Sequence, residues 1–265
     1  GVRLVGSEMC IRDRGTIEGM KQSTKKVALV TGGSRGIGRA IVENLARGGY
    51  DVVLTWNSSR AAADEAVTDL SSRGYQVRAV RADLSASDSV EETVKELAQE
   101  GPFNVVVNNA SARTEIGPIV DTELDEWNKA ITINATAPFL LIKHLAPSMP
   151  QGSSIINISS LNTLLPQPGI AEYCAGKSAL EALTQVAAKE LAAKNITVNA
   201  IRPGVTDTDG QREVNPDPEL RQQLAQMTPM GRLGRPEDIA KVAAFLAGPE
   251  SRWVTGQMIT ASGGL

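Results

Sequence analysis

Tyr173 and Lys177 stand four apart in a stretch with helical periodicity, so their side chains share one face. A phenol titrates near pH ~10 and is a poor acid–base catalyst at neutral pH. A neighbouring ammonium favours the phenolate and draws that pKa toward the working range. Alone, such a pair is a common coincidence. Its position gives it weight, because it opens the long helical stretch after the fifth apolar strand. Ser160 closes that strand, SSIINISS, thirteen residues before Tyr173. Ser159 is the rival hydroxyl. Strand alternation points the two serines to opposite sides and favours Ser160.

A second constellation follows the first strand. Thr31-Gly32-Gly33-Ser34-Arg35-Gly36-Ile37-Gly38 runs directly into a helix. Glycines there let the backbone turn tightly and approach a pyrophosphate, whose charge the helix N-terminal amides then hold. An NAD-binding unit carries an Asp or Glu at the end of its second strand. Here that strand ends in Trp56-Asn57-Ser58-Ser59-Arg60, and the only nearby acid, Asp51, sits at its start. Arg35 and Arg60, aided by Asn57 and Ser58, offer a 2′-phosphate positive charge. The loop predicts NADP(H) over NAD(H).

These residues need a scaffold. From Lys25 onward short β-branched runs (KVALVTG, DVVLTW, YQVRAVRAD, FNVVVNNA, SSIINISS, NITVNAIRPG, GQMITASGG) alternate with amphipathic stretches. The latter span Ile37–Arg47, Ser59–Ser72, Ser87–Glu100, Thr122–Met149, Glu172–Lys194 and Pro236–Ala247, each with apolar residues at three-to-four spacing. Ser87, Asp121-Thr122 and Pro236 supply start signals for three of them. Strands and helices in alternation imply right-handed βαβ units. The expected architecture is one α/β domain: a doubly wound, seven-stranded parallel sheet of the Rossmann type, with helices on both faces. The longest irregular stretch, about residues 205–235, holds a short helical pattern, Pro218–Met227, and reads as a substrate lid.

Composition closes off other classes. With 27 basic and 30 acidic residues the net charge is −3, and Phe, Trp and Tyr number three each, so neither a nucleic-acid nor an anionic-membrane surface is expected. Two cysteines, Cys10 and Cys174, and one histidine, His144, leave little for a disulfide framework or a transition-metal site, and no metal is expected. No apolar run approaches the ~20 residues of a bilayer span, which points to the cytoplasm. Residues 1–19 lack periodicity and a signal-peptide apolar stretch. They read as a disordered tail or gene-model artefact with Met20 as initiator, leaving the domain over residues 20–265.

Taken together, the motifs resemble the single-domain branch of the short-chain dehydrogenase/reductase family over about residues 25–264. TGGSRGIG matches the family's TGxxxGxG. Asp83-Leu84 matches the acid that meets the adenine ring, and Asn108-Asn109-Ala110 the motif after the fourth strand. Asn134, Ser160, Tyr173 and Lys177 fall on four catalytic positions. Pro203-Gly204, followed by Val205, Thr206 and Thr208, matches the stretch that holds the nicotinamide carboxamide. The resemblance implies that Tyr173 protonates a carbonyl oxygen as hydride arrives from NADPH, while Ser160 polarises that oxygen. It further implies that Lys177 lowers the tyrosine pKa and holds the nicotinamide ribose, and that Asn134 fixes a water in the proton path. Two departures stand out. Ser111 follows Asn108-Asn109-Ala110 where the family usually has glycine, and Ala261-Ser262-Gly263-Gly264 lacks the usual aspartate.

Other side chains carry weaker signals. His144 reads as structural and Cys174 as a small core residue. Arg113, Glu115, Asn162, Gln167 and Glu172 are candidate pocket walls. Similar 3-oxoacyl carrier-protein reductases usually place a basic residue just before the fifth strand. Here that stretch, Pro147-Ser148-Met149-Pro150-Gln151-Gly152, has none, although Lys194 retains the other basic position. The resemblance therefore implies a free small-molecule ketone or alcohol as substrate, met by a pliable lid lining of Val205, Leu220, Leu224, Met227 and Met230. A 3-oxoacyl-[acyl-carrier-protein] reductase of fatty-acid synthesis is the alternative. A non-catalytic NADP(H)-binding sensor or scaffold is the alternative of another class, and the four retained catalytic positions speak against it. The alanine-rich faces of Thr122–Met149 and Glu172–Lys194 imply a homotetramer or homodimer.

Overall fold

The computed structural model describes residues 25–111, 116–214 and 216–265. The expectations for residues 1–19, Met20, Arg113 and Glu115 lie outside them. Seven strands form one all-parallel sheet: β1 (Lys26–Val30), β2 (Tyr50–Trp56), β3 (Val77–Arg81), β4 (Val105–Asn108), β5 (Ser154–Ile158), β6 (Thr197–Pro203) and β7 (Met258–Ala261). Their spatial order is β3-β2-β1-β4-β5-β6-β7. The chain reverses direction across the sheet between β1 and β4, where a doubly wound sheet opens its crevice at the carboxyl ends of the strands. The architecture is the one expected.

Strand alternation sends neighbouring residues into two cores. Ala28, Val30, Val52, Leu54, Val105, Val107 and Ile156 pack against α1 (Gly36–Arg47), α2 (Arg60–Ser72) and α9 (Pro236–Ala247). Leu29, Val53, Val106, Ile155 and Val198 turn the other way, against α3 (Val90–Ala98), α5 (Ala137–Leu145) and α6 (Ala171–Leu191). Both faces of the central strands are thus covered, which accounts for runs such as VVV with no polar alternation. Each fully buried Leu or Ile contributes roughly 1.5–3 kcal/mol.

The stretch Thr122–Met149 differs from a single long helix. It divides into α4 (Leu124–Ile131), a π-helical turn over Thr132–Thr136, and α5. The Ala137 N–H donates to the Thr132 carbonyl, five residues back rather than four. The next residue, Pro138, has no N–H to offer, so the ordinary ladder cannot resume there. Start signals fared unevenly. Pro236 opens α9, but α3 begins at Val90 rather than near Ser87, and α4 follows Glu123 rather than Asp121-Thr122.

The lid segment holds two helices, α7 (Asp209–Val214) and α8 (Pro218–Met227), of which only α8 was expected. Among the described residues no helix is long and apolar enough to cross a membrane.

Candidate active site

Ser160 leaves β5 in extended conformation and caps a 3-10 turn over Leu161–Thr163, its Oγ accepting the Asn162 N–H at 3.1 Å. That bond occupies a lone pair and leaves the hydroxyl proton free to donate. The Ser160 hydroxyl lies close enough to the phenol of Tyr173, in the first turn of α6, to draw its pKa down. Lys177, one turn on, is buried, and its Nζ lies 5.8 Å from the centre of the Tyr173 ring. The same Nζ donates to the Ile158 carbonyl of β5 at 2.8 Å.

Burial dominates the electrostatics of the pair. It pushes the Tyr173 phenol above its ordinary value, and the Ser160 hydroxyl only partly opposes it. Desolvation alone brings the Lys177 ammonium down to about 7, so its charge is marginal at neutral pH. The phenol is held protonated, as a general acid requires.

Asn134 lies within the π turn, fully buried. Its Oδ1 accepts the Ser111 hydroxyl at 3.0 Å, and its Nδ2 has no protein partner among the described residues. Ser111, a departure at sequence level, thus acquires a purpose in orienting the amide. Gly176 permits the contact with α6, since a Cβ there would stand 2.9 Å from the Asn134 Cβ. Sequence reasoning missed Gly176; its place between Tyr173 and Lys177 was the available signal.

The glycine loop forms a cradle. A Cβ on Gly38 would meet the Gly32 carbonyl oxygen at 2.2 Å, and Gly36 has φ +55°, so neither position accepts an ordinary side chain. The α1 N-terminus has no side-chain cap and no acid in its first turn, leaving its amides for an anion. Ser34 and Ile37 are half-buried in this loop and Arg35 is exposed, 3.5 Å from the Glu213 carboxylate of α7. Asn109 braces the cradle, its Nδ2 donating to the carbonyls of Thr31 (2.9 Å) and Gly32 (3.1 Å). Thr31 Oγ1 accepts the amides of both Asn109 and Ala110 at 2.9 Å. Thr31 was not singled out by sequence reasoning.

Beyond β2, Asn57 and Ser58 are exposed, with no acid at the strand end. Arg60 pairs within α2 with Asp64 at 3.5 Å, just as Arg35 pairs with Glu213, and it is Arg35 that belongs to the glycine cradle itself. Burial would raise the Asp83 carboxyl, but hydrogen bonds from Ser85 and Asn57 hold it below its usual range. Leu84 sinks its side chain into the core, leaving its backbone to meet a ligand. Pro203 ends β6, and Gly204 donates to the Ala261 carbonyl at 3.0 Å. Val205 and Thr206 lie at the lid's base, where Gly234 donates to the Val205 carbonyl at 2.9 Å. Thr208 sits against Gly36, its methyl 3.4 Å from where a Cβ would be, so lid and cradle adjoin.

Other candidates fall away from the chemistry or at its rim. His144 Nε2 lies 2.9 Å from Glu91 Oε1 on the far helices, a structural contact. Cys174 is partly exposed rather than core. Glu172 is buried in the first turn of α6, Asn162 is half-buried beside Ser160, and Gln167 is exposed. Leu164, Leu165 and Ile116 are exposed, and Ile116 packs on the Gly169 end of the loop that joins Ser160 to Tyr173. Lid residues Leu220, Met227 and Met230 are likewise exposed, and Leu224 is half-buried.

Comparison with known proteins follows the same lines. A family model described as enoyl-(acyl carrier protein) reductase matches residues 32–265. A 3-oxoacyl-[acyl-carrier-protein] reductase of Staphylococcus epidermidis is 37% identical over 243 residues, 91% of this chain and 98% of the relative. A blue fluorescent protein from a metagenomic library, solved in complex with NADPH, is 40% identical with TM-score 0.83, covering 90% of this chain and 97% of its own. The angucycline C-6 ketoreductase LanV, solved with bound NADP, is 34% identical with TM-score 0.82, covering 90% and 95%.

Proposed function

Because the chain belongs to the short-chain dehydrogenase/reductase family of oxidoreductases, we propose that it is an NADP(H)-dependent carbonyl reductase acting on a free ketone. The observation that carries this reading is the Ser160 hydroxyl beside the Tyr173 phenol, with the Ser160 oxygen already occupied by the Asn162 N–H. A carbonyl oxygen entering beside both hydroxyls receives two donors aimed at the point where negative charge develops. Tyr173 passes its proton to that oxygen; Ser160 holds the oxygen without giving its proton up. Asn134, with one amide donor unspent, fits a water that returns a proton to Tyr173.

The residues present fit the dinucleotide. Gly32, Gly36 and Gly38 with the open α1 N-terminus receive a pyrophosphate, and Arg35 and Asn57 meet a 2′-phosphate. Lys177 takes the nicotinamide ribose hydroxyls, while Pro203, Gly204, Val205, Thr206 and Thr208 line the carboxamide side. When bound, the reduced nicotinamide supplies the hydride. Relatives solved with NADPH and NADP support this choice of coenzyme.

For the substrate, the exposed apolar rim of Ile116, Leu164, Leu165, Met227 and Met230 favours an apolar ketone. The uncharged run Pro147–Gly152 gives an acidic carrier little to bind. A carrier-bound thioester is the second reading, favoured by the relative of that activity. The test is NADPH oxidation against apolar ketones, acetoacetyl thioesters free and carrier-linked, and sugars. Highest kcat/KM on an apolar ketone is expected. Preference for the carrier-linked thioester would replace the substrate assignment, and tight NADPH binding with no turnover on any would overturn the enzyme reading. We further propose a cytoplasmic location and a homotetramer or homodimer; sedimentation as a stable monomer would overturn the latter.

A further inference from the structure

Strand β5 and helix α6 meet through three consecutive strand residues. Asn157 Nδ2 donates to Thr184 Oγ1 at 2.8 Å, the Ile158 carbonyl accepts from Lys177 Nζ at 2.8 Å, and Ser159 Oγ donates to Glu181 Oε1 at 2.6 Å. Lys177, Glu181 and Thr184 are spaced four and three apart, one stripe along the helix. Polar contacts from Asn157 and Ser159 on one side, joined by the Ile158 carbonyl, pin the helix against the strand. A slip of one residue would leave several buried groups unpaired, each costing about 1–3 kcal/mol.

Glu181 does more than complete the stripe. Its carboxylate also accepts from Arg202 through Nε (2.8 Å) and Nη2 (2.6 Å), a two-pronged pair at the end of β6 just before Pro203-Gly204. Thr163 Oγ1 stands 2.8 Å from the same carboxylate oxygen and 2.9 Å from the Ser160 carbonyl, one proton placed between two acceptors. One side chain therefore ties together the exit of β5, the turn that carries Ser160, the exit of β6 and the helix that carries Tyr173 and Lys177. It lies two turns along α6 from Tyr173 and touches none of the groups assigned to the reaction.

We propose that Glu181 is a positioning residue, which through Ser159, Thr163 and Arg202 fixes the Ser160 hydroxyl against the Tyr173 phenol. The proposal rests on the assignment of those two hydroxyls to the reaction. Proton donation depends steeply on placement, and a displacement of ~1 Å costs about 100-fold. The Glu181 network holds the two backbones in place without relying on any bond between the two hydroxyls.

The test separates position from stability. In Glu181→Leu/Arg202→Met the ion pair gives way to apolar groups of similar bulk, a replacement that generally preserves stability because no charge is left unpaired. The expected result is a melting temperature lowered by only a few degrees, from the Ser159 hydroxyl left without its acceptor, an NADPH dissociation constant within about threefold, and kcat down about 10–100-fold. The kinetic isotope effect on kcat with 4-deuterated NADPH should rise as the chemical step becomes limiting. Wild-type kcat in this variant, or kcat and NADPH affinity falling together, would overturn the proposal. If the double variant fails to fold, Ser159→Ala and Thr163→Val decide, since each leaves the ion pair intact. Each is expected to lower kcat about 3–10-fold at unchanged melting temperature, and wild-type kcat in both would overturn it. Tyr173→Phe in the same series keeps the two questions apart, because turnover surviving there would refute the underlying acid assignment and not the role of Glu181.

Discussion

Helix α6 and the lid segment 205–235 are held in place by different physics. Eight residues of α6 are buried, and three of its polar side chains are spent on β5. Helix α8 in the lid buries none. The lid is fastened by pairs at its surface, Asp207 with Arg212 (2.9 Å) and Arg221 (2.6 Å) and Arg232 with Asp238 (2.6 Å), and by backbone bonds where its two ends meet. Burial locks rotamers and tolerates no slack. Surface pairs each contribute only about 0–1 kcal/mol and can exchange for water. In the proposed function the acid sits on the buried element, and Met227 and Met230 of the apolar rim on the one fastened at its surface. Such a division would hold the reaction type fixed while leaving substrate choice adjustable.

Tyr173→Phe strikes the rigid side hardest. The ring and its packing remain, but the proton is gone. Turnover is expected to fall at least ~1,000-fold, the scale on which a single general acid contributes. NADPH affinity, measured by fluorescence titration, should stay within about threefold. Residual activity above one per cent would erase the distinction between the two regions.

Arg35→Ala tests the seam between them, since Arg35 belongs to the cradle and pairs with Glu213 of α7. A charge-assisted bond to a phosphate contributes about 1.5–3 kcal/mol, so KM for NADPH should rise about 10–150-fold while KM for NADH changes little. Equal losses for both coenzymes would mean that Arg35 serves the lid rather than the 2′-phosphate.

Lys177 allows a test by pH. Burial lowers its folded pKa to about 7, against an ordinary value of 10.5. Between those values the unfolded chain binds more protons than the folded one, so stability rises with pH across that window. The urea midpoint of the coenzyme-free protein should climb from pH 7 toward 10. In Lys177→Met that climb should be much reduced. Above pH ~10 the raised pKa of Tyr173 acts in the opposite sense, because the unfolded phenol loses its proton first. A midpoint that falls between pH 7 and 9 would show that the lysine is not desolvated.

The sheet was readable because both of its faces are covered, which forces β-branched runs with no alternation. The four candidate catalytic positions could be picked out because their order and local spacing survive in one dimension. What escaped depends on the third. Ser159 was set aside because strand alternation turns it away from Ser160, yet that same alternation aims it at Glu181. Glu181 and its partners lie 18 to 22 residues apart, a separation with no periodic signature. The π turn did have a signal, Pro138 within an otherwise helical run. The sign of the Tyr173 shift had none, since spacing reports that Lys177 is near but not how deeply the pair is buried. Helix α7, at six residues, is too short for its periodicity to be seen.

The smallest expected effect belongs to Asp207. Two arginines hold its carboxyl well below the usual range, Arg212 by the larger share through a hydrogen bond and charge, with Arg221 adding to it. Asp207→Asn keeps the size of the side chain, and its backbone N–H still donates to the Gly234 carbonyl (2.8 Å), so the base of the lid should stay closed. The variant weakens exposed pairs, and the melting temperature should drop by no more than a few degrees. The same change loosens the hold on α7 and α8, the second of which carries Leu220, Leu224 and Met227. KM for bulky ketones should therefore shift about two- to threefold, with kcat unchanged for small ones that need little of the lid. If kcat for the smallest ketone fell as far as KM moved for the largest, the lid would be helping to place the acid. The division between a fixed reaction centre and an adjustable rim would then fail at the point where it is easiest to measure.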